Sequence, residues 1–399
     1  MKLLLLHALR YFVPWLVGVL LLANGLAAQS VTELTLRDVL STTLSRATDP
    51  TGTAPYQASS WLAGLPSLSL SYLNSEDRYG VNESEMSLNM PVKSGRRRSA
   101  DKALQTLATG LDGVAHQLRR LYYSGLIREA VWSFRLADTR RQFAAKKRLV
   151  LLELEQDHQE LLAAGTASEY TLLLLQTEIV QIEILQQDTL QETRFWLERY
   201  RKLTGLRVMP VNIVEPALQP DGFGPSQLPQ LQSLELAHQQ RQQLLFANSP
   251  QASDWNLALT AKHLDSKGYN EQQYGLEVEI PLSVFAVSRQ ADNSEWRSAE
   301  REFLLARDQL LIEFSASWEQ LLNERDTLQQ KQSLLARSQQ LAMRINEQLA
   351  QLHGSSEIAQ EIVLRRTMEA LDTRAEFALN ELLIQQNNAM LRQAAGLSL

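Results

Sequence analysis

The stretch that decides the fold is residues 67–98, SLSLSYLNSEDRYGVNESEMSLNMPVKSGRRR. Leu68, Leu70 and Tyr72 alternate with Ser67, Ser69 and Ser71, and after polar Asn74 to Glu83 the residues Met86, Leu88 and Met90 alternate with Glu85, Ser87 and Asn89. Period two with one apolar and one polar face means strands of a half-buried sheet. At Pro91 the pattern changes. No proline occurs from Val92 to Met209, nor from Leu282 to Leu399, and each of those stretches is 118 residues long. Proline costs ~3 kcal/mol inside a helix, so two proline-free stretches rich in Leu, Gln, Glu, Arg and Ala predict very long helices.

The apolar spacing agrees. Leu104, Leu107, Leu111, Val114, Leu118 and Leu121 step by three and four, and Leu172, Leu175, Ile179, Ile182 and Leu185 continue the style. In the second stretch Phe314, Trp318 and Leu321 do the same, and Leu328, Leu335, Ala342 and Leu349 recur every seven residues. Seams of this kind pack helix against helix in coiled coils.

The same landmarks occur twice. Trp61 is followed by Trp255, 194 residues on; Met90-Pro91-Val92 by Ile280-Pro281-Leu282, offset 190; Ala164-Gly165-Thr166 by His353-Gly354-Ser355, offset 189; and Gly205 by Gly396, offset 191. The strand pattern also repeats: Leu257, Leu259 and Ala261, a polar loop near Asp265 to Gln273, then Tyr274, Leu276, Val278 and Ile280 around Gly275, Glu277 and Glu279. Offsets that agree to within five residues read as an internal duplication. The organisation expected is a first half-repeat at 29–206 with a strand hairpin near 61–92 and a helical hairpin near 94–204. A connector rich in Pro and Gly follows at 207–227. The second half-repeat is 228–399, with a strand hairpin near 255–282 and a helical hairpin near 288–396.

Residues 1–28 read as a secretory signal peptide: Lys2 and Arg10 start it, Phe12 to Ala28 is uncharged, and small residues precede a cleavage point after Ala27 or Ala28. Pro14, Asn24 and Gly25 cut the apolar run below the ~20 residues of a spanning helix. Cleavage moves the net charge from −6 to −8, which argues against nucleic acid as a partner. The chain has no cysteine, so disulfides, thiolate sites and a lipidated N-terminal Cys are excluded.

The six histidines (His7, His116, His158, His238, His263, His353) are scattered, and no phosphate loop or nucleophile elbow is present. The chain therefore reads as a non-enzyme with no catalytic residue, metal site or cofactor.

Four strands cannot close a barrel alone, but several protomers contributing four each could. Strands of ~8–10 residues approach the 9–11 that cross a bilayer, and Trp61, Tyr72, Trp255 and Tyr274 lie where an aromatic girdle would sit. The competing reading is a periplasmic coiled-coil adaptor or scaffold that never inserts; it is disfavoured by two ~30-residue hairpins spaced a repeat apart, where compact β domains would be expected.

Taken whole, the mature chain resembles the TolC family of outer-membrane efflux proteins. The resemblance implies a mainly α fold with a β-barrel part, each half being a short helix, a hairpin, a very long helix and a returning helix. It implies a homotrimer with a twelve-stranded barrel on a helical periplasmic tunnel. Leu34 to Arg46 and Leu228 to Phe246 would be the short helices, and Ser94 to Ala163 and Ser288 to Leu352 the long ones. It further implies a passive outer-membrane exit duct of a tripartite efflux or type I secretion system. The implied partners are a periplasmic adaptor and an inner-membrane pump.

The family carries a glycine-led turn at each tunnel tip, matched by Gly165, Ser168 and Glu169, with Thr171 where an acid is common, and more loosely by Gly354, Ser356 and Glu357. Glycine relieves the φ penalty where a helix stops, and either serine can cap the next helix; adaptor docking there is implied by resemblance alone. In the barrel, Glu277 and Glu279 would form stacked acidic rings, Glu85 would add a third, and such rings favour cations. Arg96-Arg97-Arg98 opens a long helix, where positive charge opposes the helix dipole. That placement predicts an external reason, acidic neighbours or lipid headgroups.

Overall fold

Long proline-free sequence does become long helix. The structure, a computed structural model, describes residues 34–47, 59–77, 79–166, 168–219, 223–249, 252–282, 290–350 and 357–399; the signal segment, Ser288, Leu352, His353, Gly354, Ser355 and Ser356 lie outside these. The elements in chain order are α1 (Leu36–Arg46), β1 (Ser67–Leu73), β2 (Asn82–Val92), α2 (Gly95–Ala163), α3 (Glu169–Thr204), a 3-10 turn at Pro225–Gln227, α4 (Pro229–Ala247), β3 (Trp255–Ser266), β4 (Tyr269–Glu279), α5 (Gln290–Ala350) and α6 (Glu357–Ala394). At 1.5 Å per residue, the 69 residues of α2 span about 104 Å.

Along α2 the expected seam holds: Val114 and Leu121 are buried and none of Leu104, Leu107, Leu111 and Leu118 is exposed. Further along, Ala144 and Leu151 on α2 meet Leu175, Ile179 and Ile182 on α3, with Met368 of α6 closing the cluster. Leu185 departs from the expected seam and is exposed. The α5–α6 pair is registered by polar residues that the spacing of apolar residues does not show. Buried Asn380 donates to the Leu328 carbonyl (2.8 Å) and buried Asn387 to the Leu321 carbonyl (3.1 Å). The two asparagines and their two acceptors are each seven residues apart in antiparallel order, so sliding α6 by one turn would strand both amides.

A second core lies midway along α2, where Ile127, Ala130, Val131 and Trp132 gather Val39 and Leu40 of α1, Tyr200 of α3, Ile213 of the connector and Ala389 of α6. Hydrogen bonds from Thr35 to Asp38 close a capping box on α1 and hold the Asp38 carboxyl below its ordinary range. Tyr200 donates to the Val208 carbonyl (3.2 Å), and burial pushes its phenol up. Around this core the described connector residues 207–219 are irregular, yet they are bolted down. Glu215 receives both forks of Arg128 at 2.8 and 2.6 Å and Arg392 at 3.1 Å, with Arg128 1 % and Glu215 7 % exposed. Arg128 also reaches the Gln393 amide oxygen and the Leu397 carbonyl, and Asn388 donates to the Glu215 and Pro216 carbonyls.

Gly205 and Gly396 end α3 and α6 at φ of +75° and +76°, the left-handed conformation that glycine enters without penalty. At Gly396 the Arg392 and Gln393 carbonyls accept from Leu397 and Gly396 in a Schellman pair, and a Cβ there would sit 2.5 Å from Pro229 Cδ. Gly396→Ala therefore combines backbone strain with a clash against the first turn of α4. It is expected to cost at least about 1–2 kcal/mol, read as a lower denaturation midpoint; Gly95→Ala, which meets open space, serves as the control.

Candidate functional site

The four strands form one antiparallel sheet in the order β1-β2-β3-β4. Its central pair joins β2 to β3, so hairpins far apart in sequence share a ladder that runs from Asn82↔Asp265 to Val92↔Trp255. The registers carry the alternation unbroken across the sheet: Leu68, Leu88, Leu259 and Leu276 lie on one rung, and Leu70, Met86, Ala261 and Tyr274 on the next. One face is therefore apolar from Trp255 to the rung of Leu70, Met86, Ala261 and Tyr274, about 20 Å along the strands at ~3.3 Å per residue, and Tyr72 stands on the next rung beside polar Ser84, His263 and Gln272. That face is largely uncovered: Leu70, Leu276 and Tyr274 are 74, 67 and 80 % exposed.

Trp255 stands at the helical end of this face and Tyr72 and Tyr274 near the opposite end. Trp61 lies before β1, where its carbonyl accepts from the Lys93 backbone at 2.8 Å. β1 has 7 residues, fewer than expected, whereas β2, β3 and β4 have 11, 12 and 11. The polar loop expected over 265–273 is instead strand, closed by a tight turn at Lys267-Gly268 with Gly268 at φ +101°. Those polar residues pair across the ladder above the apolar band, where both faces are polar and period two no longer marks a strand.

Glu85, Glu277 and Glu279 all fall on the polar face, beside Ser69, Ser87 and Thr260. Glu277 and Glu279 are exposed near the helical end. Glu85 does not simply extend them. It faces Lys262 directly in the register, four residues or ~13 Å further along the strands, and Lys262 binds Glu83 at 2.5 Å. Lys262 and Glu83 were not singled out from the sequence, because a single cation in a strand of alternating residues carries no local signal of its partners.

At the far end of α2 the turn is built as its sequence expects. Gly165 has φ +72°, Gly165 and Thr166 donate to the Leu162 and Leu161 carbonyls, and Ser168 caps α3 by accepting from Tyr170 N at 3.1 Å. Glu169 starts α3 exposed, favourably placed for the helix dipole. Buried His158 binds the Ser168 carbonyl at 3.1 Å, a brace that the motif does not include. Of the second turn only the backbone of Glu357, at the start of α6, is described.

The basic run Arg96-Arg97-Arg98 is split, which corrects the expectation of one shared external reason. Arg97 turns inward to the Ala247 carbonyl and sits 3.8 Å from Asp101, while Arg96 and Arg98 are exposed.

Among the described residues no group of three His, Asp or Glu is placed to hold a metal, and no helix is long and apolar enough to cross a membrane.

No protein-family model and no curated protein matches the chain. Solved structures do. The outer membrane protein VceC of Vibrio cholerae superposes with a TM-score of 0.63 at 12 % identity, over 84 % of this chain and 86 % of its own. The CmeC outer membrane channel of Campylobacter jejuni gives 0.59 at 15 %, over 83 and 78 %. The open-state MtrE outer membrane channel of Neisseria gonorrhoeae gives 0.56 at 14 %, over 84 and 81 %. The chain therefore has the fold of outer-membrane channels, the fold that its likeness to TolC-like proteins implied.

Proposed function

We propose that the chain is an outer-membrane channel, a passive exit duct for small molecules or ions in a tripartite efflux or type I secretion system. The observation that carries the reading is the sheet. It leaves an apolar face uncovered, opposes it with a polar face bearing Glu85, Glu277 and Glu279, and ends in β1 and β4, whose outer edges pair with nothing among the described residues. Lipid covers such a face, and a closed barrel removes such edges. Three copies, each pairing β1 with β4 of the next, give twelve strands around a polar lumen.

In this reading 1–28 is removed on export, and 29–206 and 228–399 are duplicated halves. The 207–227 connector belts the tunnel in the periplasm. The tips at Gly165, Ser168, Glu169, Gly354, Ser356 and Glu357 meet a periplasmic adaptor fed by an inner-membrane pump.

Cell fractionation is the direct test: a heat-resistant oligomer in the outer-membrane fraction is expected, and clean extraction with the soluble periplasm would overturn the reading. In planar bilayers the channel is expected to prefer cations. Replacing Glu277 and Glu279 with Gln removes six charges from a trimer's lumen and should lower the cation-to-anion permeability ratio; an unchanged ratio rules out a role for these rings.

A further inference from the structure

The four strands, residues 67–73, 82–92, 255–266 and 269–279, contain one lysine and no arginine. That lysine, Lys262, stands on the polar face of β3, one of the two central strands. The same face carries Glu83, Glu85, Glu271, Glu277 and Glu279, while Asp265, the sixth acid of the strands, falls by alternation on the other side. One cation is thus set among five carboxylates.

Its surroundings are specific. Glu85 lies directly opposite Lys262 in the register, and Glu83 is two residues further along β2. The ammonium is 2.5 Å from the Glu83 carboxylate, with the two side chains 29 and 33 % exposed. Glu271 shares the rung of Glu83, across Leu264. Away from the helices, this outer tier therefore holds three acids and one cation, a net charge of −2 per protomer.

The second tier is Glu277 and Glu279, also −2 per protomer. Glu277 lies four residues along β4 from Gln273, the rung partner of Lys262, or ~13 Å at 3.3 Å per residue. Salt screens charges over about 10 Å at 0.1 M, so each tier sets its own local potential. An ion passing along the face meets the two in series. Without Lys262 the outer tier would rise to −3 per protomer and become the stronger barrier to anions.

We infer that Lys262 is a specificity-determining residue of the duct: held by Glu83 and opposite Glu85, it sets the charge of the outer tier of the lumen and so limits the preference for cations over anions. The inference rests on the channel reading above, in which this face lines a water-filled barrel.

The test is ion selectivity of the full-length oligomer in planar bilayers, read as a reversal potential across a KCl gradient with a mean near about 0.1 M. In three copies the face carries fifteen carboxylates and three lysines, and Lys262→Met takes the net charge from −12 to −15. Counter-ions gather and co-ions are excluded in proportion to fixed charge, so the cation-to-anion permeability ratio should rise about 1.5-fold. Lys262→Arg should leave the ratio at the unaltered value. Lys262→Met combined with Glu83→Gln restores −12 and should return the ratio to that value.

Lys262→Cys removes assembly as a confounding cause. The chain has no cysteine of its own, so an assembled channel can be treated in the bilayer with an aminoethyl or a methyl methanethiosulfonate. The cationic adduct should lower the ratio by about the same factor, and the neutral adduct should leave it unchanged. A ratio that ignores the charge at position 262 overturns the inference, as does a paired variant that stays at the Lys262→Met value; either leaves Lys262 as a brace between β2 and β3. Absence of any conductance from the unaltered protein would instead overturn the channel reading.

Discussion

Glu215→Ala is expected to lower the unfolding free energy by about 3–5 kcal/mol, the cost of leaving a buried cation without its counter-charge. The size follows from the geometry. Arg128 is 1 % exposed on α2 and directs two nitrogens at Glu215, at 2.8 and 2.6 Å, while Arg392 of α6 adds a third contact at 3.1 Å. Removing the carboxylate leaves two guanidinium groups close together, with the Gln393 amide and the Leu397 and Pro216 carbonyls as their remaining acceptors among the described residues. A guanidinium cannot relieve the strain by losing its proton.

Glu215→Gln keeps an acceptor and should cost distinctly less. Arg128→Met combined with Glu215→Leu removes both charges together and is expected to fall well below the single Glu215→Ala loss. The measurements are the denaturant midpoint and the rate of tryptic cleavage at Arg207, because losing the clamp frees the connector. If Glu215→Ala and the double variant prove equally stable, the pair contributes nothing as a pair.

This clamp was the least legible part of the chain. Arg128 sits in a helix and Glu215 in a Pro-rich segment 87 residues away, and both residue types are ordinarily exposed, so neither position signals burial. The α5–α6 asparagines were hidden for the same reason: polar residues on a seam look like solvent-facing ones until their acceptors are known. The long helices were legible because proline's absence and the three-four spacing are properties of the segment itself. The turn at Gly165 and Ser168 was legible because helix stops and caps use local chemistry.

Period two assigned the faces of the strands correctly but was silent on neighbours, so the β2–β3 pairing and the contact of Glu85 with Lys262 appear only with the register. It also failed above the apolar band, where Asp265 to Gln273 continues as strand with both faces polar.

Leu276→Arg is expected to abolish stable insertion. Leu276 shares its rung with Leu259, Leu88 and Leu68, inside the apolar band that runs from Trp255 to the rung of Leu70 and Tyr274. An arginine on the lipid side of a barrel near the bilayer midplane costs about 2–4 kcal/mol, and a trimer carries that cost three times. Ser87→Arg, one residue along β2 from that rung but on the polar face, is expected to leave insertion intact and to alter only conductance.

The contrast separates the channel from a water-soluble scaffold, because Leu276 is already 67 % exposed in the protomer. If the sheet stood in water, replacing an exposed leucine with a charged residue would change stability by no more than about 0.5 kcal/mol and would improve solubility. In lipid the same change removes the oligomer from the outer-membrane fraction. A Leu276→Arg protein that fractionates and resists heat as the unaltered one does would therefore mean that this face never meets hydrocarbon, and the barrel would have to be abandoned.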